Sequence, residues 1–273
     1  MRDLVADVRP DLLDAVTDLV GDDPFERVDD STRFAQPAIF CASLAGWTLI
    51  RDRVEPVAVA GHSLGELTAL AAAGVLDEHE ALRLVVLRGA LMAESGEASG
   101  GGTMLALLGA EADQAAALAT RHDVSVANDN APGQIVLSGA PDALRAVRKD
   151  ARADGLRALP LDVSGAFHSR QMHGAVHPFA EVLADVDVDA GTTTVISCAT
   201  VRPFRDVRTE LAAALIKPVR WRETMIELVA RGISTFIDAG PGPVLAKLAP
   251  RCVPGVVATP LNNLLDTPRP ALA

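Results

Sequence analysis

The chain has 273 residues, enough for one large domain or a large domain with a smaller insert, and its 49% hydrophobic and 22% charged residues describe a globular protein with a sizeable core. A formal net charge of −11 disfavours nonspecific nucleic-acid binding. Three widely spaced cysteines, Cys41, Cys198 and Cys252, exclude a disulfide framework and show no metal-ligand spacing, so neither metal nor cofactor is expected.

In chain order, apolar residues at helical spacing predict a helix over residues 11–20, and Gln36-Pro37 opens a second one through about residue 50. No apolar run approaches the roughly 18–20 residues that span a bilayer. The start, Met1-Arg2-Asp3-Leu4-Val5-Ala6-Asp7, carries acids where a signal peptide is basic and then apolar. A cytoplasmic protein is expected. Residues 57–60 form a short apolar run that ends at a glycine turn, which reads as a buried strand feeding a helix over residues 64–73. Gly74 stops that helix, and Asp77 caps another running to about residue 94.

Residues 95–102, rich in glycine and serine, read as a flexible hinge. The pattern then changes to strand (103–108), helix (111–121), strands (124–127 and 134–138), helix (141–153) and strand (156–161). That is the ferredoxin-like order. Beyond it, helices are expected at 168–183, 207–215 and 221–231, with strands at 194–198, 235–238 and 256–259. The fold class is therefore α/β: a parallel-sheet, hydrolase-like large subdomain (1–99 and 164–273) with an inserted ferredoxin-like small subdomain (100–163).

The turn Gly61-His62-Ser63-Leu64-Gly65-Glu66, between strand and helix, has the layout of a nucleophile elbow. Flanking glycines admit the tight turn that presents Ser63. A helix N-terminus there favours developing negative charge, and the Leu64 N–H is the natural oxyanion donor. Of the six histidines, His62 adjoins the nucleophile but points elsewhere and reads as structural. His79 and His122 fall in polar, exposed helical contexts. His168, in a turn leading into a helix, suits a fixed imidazole; His173 is a reserve candidate and His177 a surface residue. An α/β-hydrolase places its histidine late in the chain, after the acid. Here the last histidine is His177, which leaves a serine–histidine pair with an insert between its members.

These residues resemble a family. The serine motif is similar to that of malonyl-CoA:acyl-carrier-protein transacylases and the related acyltransferase domains of polyketide synthases. Thr32 with Ala35-Gln36-Pro37-Ala38, Leu87-Arg88-Gly89, Asn128-x-Asn130-x-Pro132-Gly133-Gln134, Phe167-His168-Ser169, Pro218-Val219-Arg220-Trp221 and Gly240-Pro241-Gly242 match it in order across nearly the whole chain. The resemblance implies ping-pong malonyl transfer from malonyl-CoA to the phosphopantetheine thiol of acyl carrier protein, with Ser63 as nucleophile and His168 as base. It further implies a backbone carbonyl near Ala214 orienting His168. Arg88 would grip the malonyl carboxylate, Phe167 would crowd the acyl α-carbon, and Gln36, Met92 and Asn130 would lie near the acyl pocket.

One departure stands out. The family begins with a strand and a Phe-Pro-Gly-Gln-Gly-Ser-Gln-like loop supplying a second oxyanion donor, and this chain opens at the family's first helix. The expected cause is a start assigned downstream of the true one; loss of such a donor costs about 10²–10³ in rate. Arg202, Arg205, Arg208, Lys217, Arg220 and Arg222, in a stretch with only Asp206 and Glu210 as acids, are the expected dock for an acidic carrier. A monomer is the expected state. Two other readings stay open on the same residues: a serine thioesterase or hydrolase, and a catalytically impaired carrier-protein or CoA binder.

Overall fold

A computed structural model describes residues 1–265. It opens with α1 (Arg2–Val8), which the periodicity does not reveal, and α2 (Pro10–Val20), begun by Pro10 in its first turn and stopped by Gly21 at φ 77°. The next helix, α3 (Thr32–Ile50), starts earlier than Gln36-Pro37 suggests. Ser31 caps it by accepting the Arg33 N–H at 3.2 Å. The strand β1 (Ala58–Ala60) runs into the elbow and α4 (Gly65–Ala72).

Asp77 caps α5 (Glu78–Ala98) through the N–H groups of His79 and Glu80. This helix runs on through the first half of the expected hinge. Ser95 is buried with its hydroxyl donating to the Gln171 carbonyl at 2.8 Å, and Gly96 packs near Gly165. The small residues there serve close packing, which composition cannot separate from flexibility.

The small subdomain follows as β2 (Thr103–Leu108), α6 (Ala112–Arg121), β3 (Ser125–Ala131), β4 (Gln134–Gly139), α7 (Pro141–Ala153) and β5 (Arg157–Leu161). Its strands are antiparallel in the order β3-β4-β2-β5, the ferredoxin-like arrangement. One sheet face carries Leu105, Leu107, Ile135 and Leu137 against Leu118, Leu144 and Val147 of the two helices. The other presents Met104, Ala127 and Val136 to Phe167. Two bulges lengthen β3 past its expected end and carry its asparagines toward the large subdomain.

After a 3-10 turn (Arg170–Met172) come α8 (His173–Ala184), β6 (Thr194–Ser197), β7 (Arg202–Pro203), α9 (Val207–Ala214), α10 (Trp221–Ala230), β8 (Thr235–Asp238), α11 (Val244–Cys252), β9 (Val257–Pro260) and α12 (Leu261–Leu265). The helix expected from residue 168 thus begins at His173, which leaves His168 in the preceding turn. The strands of the large subdomain fall into two hydrogen-bonded groups: β1 and β6 run parallel with β7 antiparallel against β6, and β8 and β9 run parallel, so the sheet expected to be parallel carries one antiparallel strand. Residues from both groups pack against a core containing Ile196, Trp221, Met225 and Leu248. The larger core gathers α3, α4, α5 and α8 around Phe40, Leu70, Leu84 and Phe179. No described helix is long and apolar enough to cross a membrane.

Phe40 on α3 has no exposed surface in this larger core. Phe40→Ala is expected to cost about 3–5 kcal/mol through lost burial and a residual cavity. Urea unfolding should show it as a lower midpoint with an unchanged slope.

Candidate active site

The elbow is shaped by one contact. A Cβ at Gly61 would lie 1.8 Å from the Gly65 carbonyl oxygen, so only glycine closes this turn. Ser63 then takes φ 53°, a left-handed conformation costing about 1–3 kcal/mol that the surrounding structure must hold. Three turn bonds hold it, from Gly65 N to His62 O, Glu66 N to Ser63 O and Leu67 N to Leu64 O, each 3.0 Å. The Leu64 N–H takes no part in them. It sits at the positive end of α4, and Leu64 lines the adjoining cavity.

His168 is also left-handed, at φ 55°. Ser169 braces its turn, donating to the Ala166 carbonyl at 2.6 Å and accepting the Gln171 N–H at 3.1 Å. The His168 Nδ1 lies 3.1 Å from the Ala214 carbonyl and 3.0 Å from the Lys217 carbonyl. Carbonyls only accept, so Nδ1 carries the proton and Nε2 turns its lone pair to Ser63 Oγ at 2.7 Å. Burial above all, then the positive charge of Arg88 and the proximity of His62, push the imidazole down to about 3. The imidazole is therefore neutral and able to accept a proton.

Arg88 lies on α5 and is buried at 4% exposure. Its Nη1 donates to Gln36 Oε1 at 2.5 Å and its Nη2 to Ser63 Oγ at 3.1 Å. Gln36 is oriented by its own amide NH₂, which donates to Thr32 Oγ1 at 2.8 Å and Met92 Sδ at 3.4 Å. The next residue permits the meeting of helices: a Cβ on Gly89 would stand 2.9 Å from the Thr32 carbonyl oxygen, so glycine lets α5 approach α3. Burial pushes the guanidinium down to about 10, with the charge of Glu66 opposing the fall. No carboxylate lies within ion-pair distance of Arg88 among the described residues.

These groups open onto a cavity of about 150 Å³, also lined by Met104, Asn128 and Phe167. Gly165 makes room for the Phe167 ring, since a Cβ there would come within 2.4 Å of it. Asn130 turns away from the cavity and accepts from His62 Nε2 at 2.8 Å; its neighbour Asn128 takes the lining position. The strand's bulges decide which asparagine faces which way, and no local pattern discloses that. His62 also packs at 5.7 Å against the Trp221 ring. His79, His173 and His177 stand on the surface, while His122 is more enclosed than its polar context suggests, bonded to Asp150 at 2.9 Å. Sequence reasoning passed over Met104, and also Glu66 and Cys198, which meet behind the elbow.

The basic stretch divides. Arg208 donates to the Val186 carbonyl, Arg220 pairs with Glu223 and Arg222 with Asp129. Arg202, Arg205 and Lys217 are exposed.

Residues 11–258 match the family model of the acyl transferase domain. A malonyl CoA-acyl carrier protein transacylase of Haemophilus influenzae is 34% identical over 257 residues, covering 90% of this chain and 82% of that protein. The polyketide biosynthesis protein ThaF of Burkholderia thailandensis is 38% identical over 231 residues, 82% of this chain but 20% of that much longer protein. Among solved structures, a malonyl-transacylase in complex with a type II polyketide synthase acyl-carrier protein, PlMCAT:AntF, superposes with a TM-score of 0.87 at 31% identity, covering 96% of this chain and 88% of that one.

A histidine held near 3 when folded, against about 6.5 when unfolded, binds fewer protons in the native state between those values. Stability is therefore lost as pH falls from about 6.5 towards 3. By NMR, the His168 imidazole resonances should not titrate between about pH 5 and 8; a midpoint in that window would contradict its charge state here.

Proposed function

The chain belongs to the acyl transferase family and is an acyltransferase, and from that premise we propose that it carries malonyl groups from malonyl-CoA to acyl carrier protein through an ester on Ser63. The observation behind this reading is Arg88: a buried guanidinium, without an anion in contact, hydrogen-bonded to the nucleophile. A planar carboxylate suits its fork, and an acyl group ending in a carboxylate would place the thioester carbonyl beside Ser63.

In the first half-reaction the Ser63 proton passes to His168 Nε2 as Oγ attacks the thioester carbon. The oxyanion that forms meets the Leu64 N–H and the end of α4. Collapse breaks the carbon–sulfur bond, and the departing CoA sulfur takes the proton from His168. In the second half the carrier thiol gives His168 its proton and attacks the ester, and Ser63 leaves with the proton restored. The malonyl carboxylate has a further effect. By pairing with Arg88 it offsets the charge that depresses His168, so the base strengthens when the right acyl group is bound. A monocarboxylic acyl group would leave the guanidinium buried and uncompensated. The Phe167 ring favours malonyl over α-branched groups by crowding, while Gln36 and Met92 hold Arg88 in place.

Arg202, Arg205 and Lys217 are the side chains best placed to meet an acidic carrier. The Lys217 backbone carbonyl holds His168, so this basic edge lies beside the active site. The aligned transacylase bound to its carrier protein supports a carrier as partner.

Intact protein given malonyl-CoA should gain the mass of one malonyl group, and Ser63→Ala should gain none. Arg88→Ala should lower the preference for malonyl over acetyl about a hundredfold or more; a simple esterase would barely notice the change. Charge reversal at Arg202 and Arg205 should raise the KM for the carrier and leave that for malonyl-CoA unaltered in steady-state assays.

A further inference from the structure

Glu66 is a buried carboxylate that the transfer chemistry does not use. It lies three residues after the nucleophile, in the first turn of α4, and only 2% of it is exposed. An acid in a first helical turn can complement the helix dipole from the surface, so its burial calls for another reason. One carboxylate oxygen accepts the Cys198 N–H at 2.8 Å, just past β6, and Ser197 also hydrogen-bonds to the carboxylate. The carboxylate is thus fixed behind the elbow.

Arg88 adjoins the same residue: its Nη2 bonds Ser63 Oγ at 3.1 Å while the Glu66 N–H bonds the Ser63 carbonyl at 3.0 Å, so two buried groups of opposite charge type meet at the elbow. Each charge favours the other, although the guanidinium spends its bonds on Gln36 and Ser63 and makes no ion pair with Glu66. A carboxylate in contact would fill the fork that a substrate must use. With no anion nearby, a buried cation would stand alone in the empty site. A set-back carboxylate lies between these extremes.

We propose that Glu66 is a positioning residue: anchored to the end of β6, its negative charge balances Arg88 in the empty site and sets how strongly the guanidinium holds an incoming carboxylate. The proposal deepens the assignment of Arg88 as carboxylate holder and rests on it. Burial raises the Glu66 carboxyl above its usual range, and the bonds from Ser197 and Cys198, followed by the charge of Arg88, oppose that rise.

Glu66→Gln keeps an acceptor for the Cys198 N–H and the shape of the side chain while removing the charge. With free malonate as probe in calorimetry, Glu66→Gln should bind about three- to tenfold more tightly than wild type, because Arg88 is no longer shared and a repelling charge is gone. Unchanged or weaker malonate affinity overturns the proposal, whatever happens to melting temperature or turnover, since a purely structural clamp predicts that result.

If wild type itself binds no malonate, the assignment of Arg88 fails instead, and a stability cycle tests the coupling separately. Arg88→Ala should lower the melting temperature less in the Glu66→Gln background than in wild type; equal losses reject the coupling. Should Glu66→Gln not fold, recovery of the fold in the Arg88→Ala, Glu66→Gln double variant supports the charge balance, and failure of the double variant rejects it.

Discussion

The site depends on a buried positive charge held without an anion in contact. Arg88 is out of water, and burial weakens its hold on its proton. The surrounding structure keeps it charged and aimed: Gln36 supplies an acceptor, Thr32 and Met92 fix the Gln36 amide, and Gly89 brings the two helices close enough for this to happen. Burial, reinforced by the same charge, holds the neighbouring imidazole neutral. A ligand carboxylate would therefore complete a charge balance that the protein leaves partly open.

A second constraint ties His168 to the small subdomain. The segment from Ala214 to Arg222 presents two carbonyls to His168 and then runs beside β3. There Val219 N bonds Ala127 O and Asp129 N bonds Val219 O, each at 2.8 Å, and Arg222 pairs with Asp129. The His62–Asn130 bond adds a further crossing from the elbow itself. The small sheet thus both roofs the cavity, through Met104 and Asn128, and braces the segment that orients the imidazole.

Much of the fold was legible because its signals are local. The short apolar run in residues 103–108, the proline that opens α7 and the apolar run entering the elbow each specify an element within a few residues. The reading faltered where distant packing decides. Ser95 and Gly96 look flexible in isolation, yet α5 continues through them because they meet Gln171 and Gly165. A cluster of arginines reads as one patch along the chain, but Arg208 and Arg222 find partners that only the folded chain supplies, and Arg220 pairs with Glu223 just beyond the stretch.

At the site, the turn that presents Ser63 and the chemical types available were readable from neighbouring residues alone. Gly61 before Ser63 leaves the backbone little choice, because a Cβ there would strike the Gly65 carbonyl, whereas a Cβ on Gly65 would meet open space. Which nitrogen of His168 faces Ser63, which asparagine lines the cavity, and the burial of Glu66 behind the elbow were decided only by the tertiary structure. Those outcomes rest on carbonyl positions, strand bulges and desolvation. They are set by residues far apart in the chain, and no local pattern encodes them.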